Sequence, residues 1–249
     1  MTRPTSNRII WAVALLAVLS GAAAGFADPP KKPAYETREE FDPDGINKFY
    51  LGRQIAHVMG YQAAGWLERS EREKEEEPAK LLKALDLKPG MVVADVGAGS
   101  GYHAFRMAPL VGPAGKVLAV DVQPQMLKLI EARAKKEQVA NVVPVKGTAT
   151  DPKLEANSVD LALMVDVYHE FSHPYEMGQK LVAALKPGGR LVFVEFRLED
   201  PAVPIKLVHK MSERQVIREM SEFPELEHTR TVGTLPWQHV IVFTKKGAK

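Results

Sequence analysis

One stretch limits what this 249-residue chain can fold into. The apolar run Val92-Val93-Ala94-Asp95-Val96 leads into Gly97-Ala98-Gly99-Ser100-Gly101. An apolar, helix-like segment follows from Tyr102 to Val111, and a second β-branched run, Lys116 to Val120, closes on Asp121. Strand, glycine turn, helix, strand and acid, in that order, make half of a nucleotide-binding α/β unit. Glycine admits a positive φ and lets a ligand approach the backbone with no Cβ between them. The helix that starts after Gly101 offers unpaired N–H groups and the positive end of its dipole. A carboxylate at the tip of the second strand, Asp121, can accept two hydrogen bonds from a ribose diol.

Spacing narrows the ligand. The dinucleotide fingerprint G-x-G-x-x-G needs glycine at position 102 or 104, where the chain has Tyr102 and Ala104. The run is instead Asp95-x-Gly97-x-Gly99-x-Gly101, with a carboxylate two residues before the first glycine. An acid so close to the turn repels a pyrophosphate and suits a ligand that carries a cation, an ammonium or a sulfonium. The stretch resembles the first motif of the class I S-adenosylmethionine-dependent methyltransferases, and Asp121 resembles their second. The resemblance implies S-adenosylmethionine as cofactor, bound by Asp95, Gly97, Ala98, Gly99, Ser100, Gly101, Asp121 and Val122. It also implies that Thr148 stands where the family often has an acid facing the adenine amino group, with Asp151 close by.

The α/β alternation continues. Pro124 opens a helix to about Gln138, Asn141 to Val145 reads as a third strand, and Ser158 to Val165 as a fourth, apolar on both faces as a buried parallel strand is. Pro174 to Leu185 reads as a helix, Lys186-Pro187-Gly188-Gly189 as a turn, and Arg190 to Phe196 as the fifth strand. Ser212 and Gln215 form a capping box before a helix to about Glu222. Leu226 to Val232 and Gln238 to Thr244 are two β runs with a short connection, hence antiparallel. The expected fold is α/β: a three-layer, doubly wound, seven-stranded sheet, mostly parallel with an antiparallel last strand, plus an N-terminal helical or extended segment.

The fourth strand delivers Asp166-Val167-Tyr168-His169-Glu170-Phe171-Ser172-His173. Ligands of open α/β sheets bind beyond the carboxyl ends of the strands. His169 and Glu170 are therefore the candidate catalytic residues, with Asp166 shared between cofactor and acceptor. A base is needed only if the acceptor loses a proton, since in-line methyl transfer rests on near-attack geometry. The same residues match H-E-x-x-H, so a zinc metalloprotease through His169, Glu170 and His173 is an alternative. Pro174 directly after His173 weighs against the single helix that chemistry needs. A non-catalytic S-adenosylmethionine-binding module is the other alternative. The acceptor is expected to be a small molecule.

Arg3 and Arg8, the apolar run Ile9 to Leu19 and the small residues Gly21 to Ala27 read as a signal peptide, or an anchor if uncleaved, so the domain is expected to be exported. A membrane enters only through that segment. Removing two arginines from 33 basic residues leaves them equal in number to the 31 acidic ones, so no nucleic-acid partner is expected. The chain has no cysteine, hence no disulfide, thiolate ligand or cysteine nucleophile. Residues 28–49 read as an extended arm and 49–67 as short helices. Tyr50, His57 and Trp66 are candidates to cover the site, and the charged run Glu68 to Glu77 reads as a solvated face. The expected organisation is 1–27 signal peptide, 28–75 arm and covering helices, and 76–249 methyltransferase domain.

Overall fold

A computed structural model of the chain describes residues 1–2 and 34–247. Apart from its first two residues, the export segment expected at 1–27 lies outside the described residues. Among the described residues no helix is long and apolar enough to cross a membrane.

The chain order begins with three strands, β1 (Tyr35–Glu36), β2 (Gly45–Tyr50) and β3 (Arg53–Ala56), and three helices, α1 (Ala64–Leu67), α2 (Arg72–Glu75) and α3 (Pro78–Leu85). The α/β alternation then runs β4 (Val92–Val96), α4 (Tyr102–Val111), β5 (Lys116–Asp121), α5 (Pro124–Glu137), β6 (Val142–Lys146), β7 (Val159–Val165), α6 (Pro174–Ala184) and β8 (Leu185–Phe196). It closes with α7 (Glu213–Met220), β9 (Leu226–Val232) and β10 (Gln238–Lys245). Among the described residues, seven of these strands form one sheet in the order β6-β5-β4-β7-β8-β10-β9. Pairing is parallel from β6 to β8, and β10 runs antiparallel to both β8 and β9. The expected sheet is thus present, with its order reversing between β4 and β7.

Both faces of the sheet are covered, which is why β7 is apolar from Leu161 to Val165, with Asp160 near its start held by the Val92 N–H and Lys186. Leu161 and Leu163 pack with α3, α4 and α5, while Ala162 and Met164 pack with α6 and α7 on the other side. Only the Ser212 half of the capping box forms, its Oγ accepting the Gln215 N–H at 3.1 Å, because the Gln215 amide is drawn off to the Leu51 carbonyl and Glu219.

Three elements differ from the sequence reading. The turn expected at Lys186 to Gly189 is a bulge inside β8: Val159 pairs with Leu185 and Leu161 with Arg190, and Gly188 adopts φ +78°. The region read as an extended arm, with the start of the stretch read as short helices, is instead a small antiparallel sheet, β1-β2-β3, and the short helical turns expected before Glu68 are confined to residues 61–67. Leu51 and Gly52 have φ +47° and +88°, and Tyr50 pairs with Arg53, a two-residue turn whose twist suits a hairpin. Tyr50 and Ile55 are fully buried in the same cluster as Tyr168 and Phe193. Burying Ile55 alone contributes about 1.5–3 kcal/mol relative to exposure, and the Tyr50 ring adds apolar contact that ties this sheet to the main one. Finally, the charged run is no solvated face throughout. Arg72 and Glu76 are 4% and 2% exposed and form an ion pair at 2.6 Å.

Candidate active site

A cavity of about 520 Å³ opens where the sheet order reverses, beyond the carboxyl ends of β4, β5 and β7. Its size suits a small ligand. Gly97 and Gly99 form one wall with φ of +76° and +55°. A Cβ on Gly99 would stand 2.6 Å from Leu67, and one on Gly97 would run into Val167, so the loop is closed to larger residues on both sides. Asp121 is 6% exposed; its Oδ2 accepts the Gly99 N–H at 2.9 Å and its Oδ1 the Gln123 N–H at 2.7 Å. A carboxylate offers about four lone-pair sites, so two remain for a diol. Burial raises its pKa. Val122 and Thr148 line the same wall. Asp151 does not reach it: its side chain accepts from the Lys153 N–H and Nζ and closes a turn.

The other residues expected to touch a cofactor stand one layer back. Ala98 donates its N–H to Val120 at 3.0 Å, and Gly101 donates to Ala98 at 2.8 Å. Ser100 donates its hydroxyl to Glu68 at 2.6 Å. These bonds shape the loop. Asp95 is 3% exposed, and its Oδ2 has no partner among the described residues. Burial pushes its carboxyl up to about 7, against the pull of Arg72 and a backbone bond from Ala104.

That shift has a measurable consequence. Below an ordinary value of 3.8 the carboxyl is protonated in both folded and unfolded chains. As pH rises from there toward 7, the unfolded chain releases the proton and the folded one retains it, so stability falls and the full loss, on the order of a few kcal/mol, is reached above 7. Asp95→Asn removes this loss. Its melting temperature without cofactor is expected to exceed that of the wild type by a margin that grows between pH 4 and 7 and is level above. A pH-independent margin in thermal unfolding contradicts the assignment.

Asp166 lines the cavity in a left-handed conformation, φ +50°, which costs a non-glycine residue about 1–3 kcal/mol and is concentrated at functional positions. Its Oδ2 accepts from Gln238 at 2.5 Å and its Oδ1 has no partner among the described residues. Burial, with Glu76 and Glu195 nearby, raises its carboxyl well above the usual range. Arg72 is the cation here. Nε donates to Glu76, Nη1 to the Leu67 carbonyl at 3.0 Å, and Nη2 meets His103 Nε2 at 3.3 Å. His103 is held neutral by burial and by Arg72 and Arg106, so Nε2 accepts.

The far end of the cavity is built on the loop after β7. Tyr168–Glu170 makes a single 3₁₀ turn, and His169 is 2% exposed. Its Nδ1 stands 2.6 Å from Glu195 Oε2, and Glu195 Oε1 accepts the Tyr168 N–H at 3.0 Å. A carboxylate only accepts, so Nδ1 carries a hydrogen toward Glu195, and in the neutral ring it is Nε2 that has the lone pair. Nε2 lies 3.2 Å from His209 Nδ1. Arg53 holds the His169 carbonyl at 3.0 Å while forking onto Glu219 at 2.7 and 3.0 Å. Glu170 accepts the Met59 N–H at 3.1 Å, and burial pushes its carboxyl up to about 7.

The protease alternative does not survive this geometry. Phe171 is extended, and His173 (φ −137°) precedes α6 as its cap, so His169 and His173 share no helix face. The histidine that joins His169 and Glu170 is His209, from the 3₁₀ turn Leu207–His209.

The N-terminal segment closes the cavity. Trp66, Leu67, Val58 and Met59 line it, whereas Tyr50 is core and His57 is exposed and off the wall. Gln123 clamps the segment, donating to the Met59 carbonyl at 2.9 Å and accepting the Tyr61 N–H at 2.8 Å. Sequence reading missed Arg72, Gln123, Glu195 and His209. Only Glu195 left a signal: a lone acid within the apolar run Leu191 to Phe196.

A doubly wound sheet, a glycine loop at its order reversal, an acid at the tip of the neighbouring strand and a covered cavity define the methyltransferase class of α/β domain. The methyltransferase domain family model matches residues 87–240, more than half of the chain, and the chain belongs to that family. The crystal structure of a SAM-dependent methyltransferase from Aquifex aeolicus is 26% identical with a TM-score of 0.71, covering 76% of this chain and 100% of that one. Demethylmenaquinone methyltransferase of Lactococcus lactis is 29% identical over 127 residues, 51% of this chain and 50% of that protein. Protein-L-isoaspartate O-methyltransferase of Methanococcus aeolicus is 35% identical over 114 residues, 46% of this chain and 50% of that protein. The chain spans about half the length of the curated relatives it matches. Family and fold imply S-adenosylmethionine as cofactor, and the residues present fit it: a wall without Cβ atoms, spare lone pairs on Asp121, and Asp166 and Arg72 on the cavity lining for a zwitterionic end.

Proposed function

We propose that this chain moves a methyl group from S-adenosylmethionine to a small-molecule acceptor that enters beside His169. The single observation that carries the reading is Asp121, a buried carboxylate fixed by the Gly99 N–H on the wall of the cavity at the sheet's order reversal. Asp121 binds the ribose diol, Val122 and Thr148 border the adenine, and the backbone of Gly97 and Gly99 lies along the amino-acid end. Ala98, Ser100 and Gly101 hold that loop in shape with Asp95 buried behind it, Asp166 faces an ammonium, and the spare N–H groups of Arg72 face a carboxylate. When bound, S-adenosylmethionine supplies an electrophilic methyl group on a sulfonium. His169 Nε2 accepts the proton of an acceptor hydroxyl or amine, and Glu195 keeps its tautomer and stabilises the imidazolium. Glu170 and Asp166 border the entering acceptor. The covering segment from Val58 to Leu67 excludes water and favours a small acceptor over a macromolecular one.

Calorimetry on the full chain tests the cofactor. S-adenosylmethionine and its demethylated product are expected to bind one per chain, and Asp121→Ala to weaken both by roughly 5- to 150-fold, the worth of about 1–3 kcal/mol for a charge-assisted pair. Tight binding of NADH with none of S-adenosylmethionine overturns the reading.

A further inference from the structure

We infer that His169, Glu170 and His209 form a binding site for one divalent first-row transition ion at the acceptor end of the cavity. One ligand atom from each lies within 4.8 Å of the others, and among the described residues this is the group of histidines and acids so arranged. The two imidazole nitrogens are 3.2 Å apart. Two nitrogens bound to one ion at about 2.0–2.1 Å and ordinary ligand angles stand about 3.0–3.4 Å from each other. A direct hydrogen bond between the rings also fits that distance, but it does not account for the carboxylate brought beside both.

The surroundings are those of a prepared ligand set. Metal-bound histidines typically donate their second ring N–H to a carboxylate, which fixes the tautomer and raises the basicity of the ligating nitrogen. Glu195 does this for His169 at 2.6 Å, and Glu195 is itself fully buried and held by the Tyr168 N–H. Arg53 fixes the His169 backbone carbonyl at 3.0 Å. The third ligand arrives from a distant part of the chain, on a turn placed against this loop, so the grouping is a product of the fold rather than of local sequence. Two imidazoles and one carboxylate suit zinc, iron(II), cobalt or nickel rather than calcium or magnesium, and they leave coordination positions open. All three residues line the cavity, so those positions face its interior. In the loaded protein Nε2 holds the ion in place of a proton. That an open position receives an oxygen or nitrogen of the acceptor rests on the methyl-transfer reading; ion binding itself does not.

The test uses the full chain after chelator treatment and dialysis. Zinc(II) is titrated by calorimetry and cobalt(II) by its visible d–d absorption. One ion per chain is expected, and His209→Ala and Glu170→Gln are each expected to weaken binding at least tenfold at unchanged melting temperature. Glu170→Gln preserves an oxygen for the Met59 N–H, so it separates loss of a ligand from loss of the covering segment. Absence of stoichiometric binding, or affinity unchanged in both variants, overturns the site. S-adenosylmethionine is titrated into the same samples: cofactor binding without metal binding defeats the metal site alone, and metal binding without cofactor binding defeats the cofactor reading alone.

Discussion

His169→Gln is expected to lower turnover by roughly 10²–10⁴, the usual worth of a positioned proton acceptor, while S-adenosylmethionine affinity stays within a few-fold. Glutamine rather than alanine is the informative change. His169 Nδ1 meets Glu195, which is 0% exposed, and an alanine leaves that carboxylate with only the Tyr168 N–H. Stranding a buried charge costs about 3–5 kcal/mol, so His169→Ala confounds chemistry with unfolding. A glutamine amide still donates to Glu195 but offers no imidazole nitrogen, so whatever Nε2 holds, proton or ion, is lost. The measurement is the rate of demethylated cofactor formed with an acceptor that the wild type turns over, beside a calorimetric cofactor titration. Turnover within a few-fold of wild type means that positioning alone carries the reaction.

Arg72→Met is expected to destabilise the protein by about 2–4 kcal/mol, somewhat below the usual cost of breaking a buried pair because Glu76 keeps Arg69 at 3.0 Å. The loss has several parts. Glu76 loses the Nε donor at 2.6 Å, the Leu67 carbonyl loses Nη1, and His103 Nε2 loses Nη2. Asp95 and Asp166 lose the cation that opposes the cost of their burial. Methionine fills a similar volume, so little of the effect arises from a cavity. Adding Glu76→Leu removes the stranded acid and is expected to recover most of the stability in denaturant unfolding. A single variant within about 0.5 kcal/mol of wild type would show that the network is decorative. The variant also tests how the covering segment is held, because Arg72 anchors Leu67 against Gly99.

The motif from Val92 to Asp121 was legible because its signals are local. Strand periodicity, positive-φ glycines and an acid at a strand end are encoded within some thirty consecutive residues, and the sheet order follows from right-handed crossovers. The antiparallel β9–β10 pair was legible for the same reason, from a short connection between two β runs. The hairpin at Tyr50–Arg53 was not, since its turn is Leu51-Gly52 rather than the asparagine or aspartate that usually marks one. The burial of Arg72 and Glu76 was also hidden. A run of alternating charges looks the same whether it faces water or a cavity, and only the acids supplied by β4 and β7 decide which.

The sequence by itself determined the fold class, the cofactor loop and the strand end that carries His169 and Glu170, because each depends on residues adjacent in the chain. Only the tertiary structure decided what those residues do together. His169 has its tautomer set by Glu195 from β8, its backbone held by Arg53 from β3, and its second nitrogen met by His209, forty residues on. The H-E-x-x-H pattern pointed to His173, whereas packing chose His209. Such choices lie beyond local reading because a side chain's partner in a folded core is set by which strands and turns converge, and convergence is a property of the whole sheet.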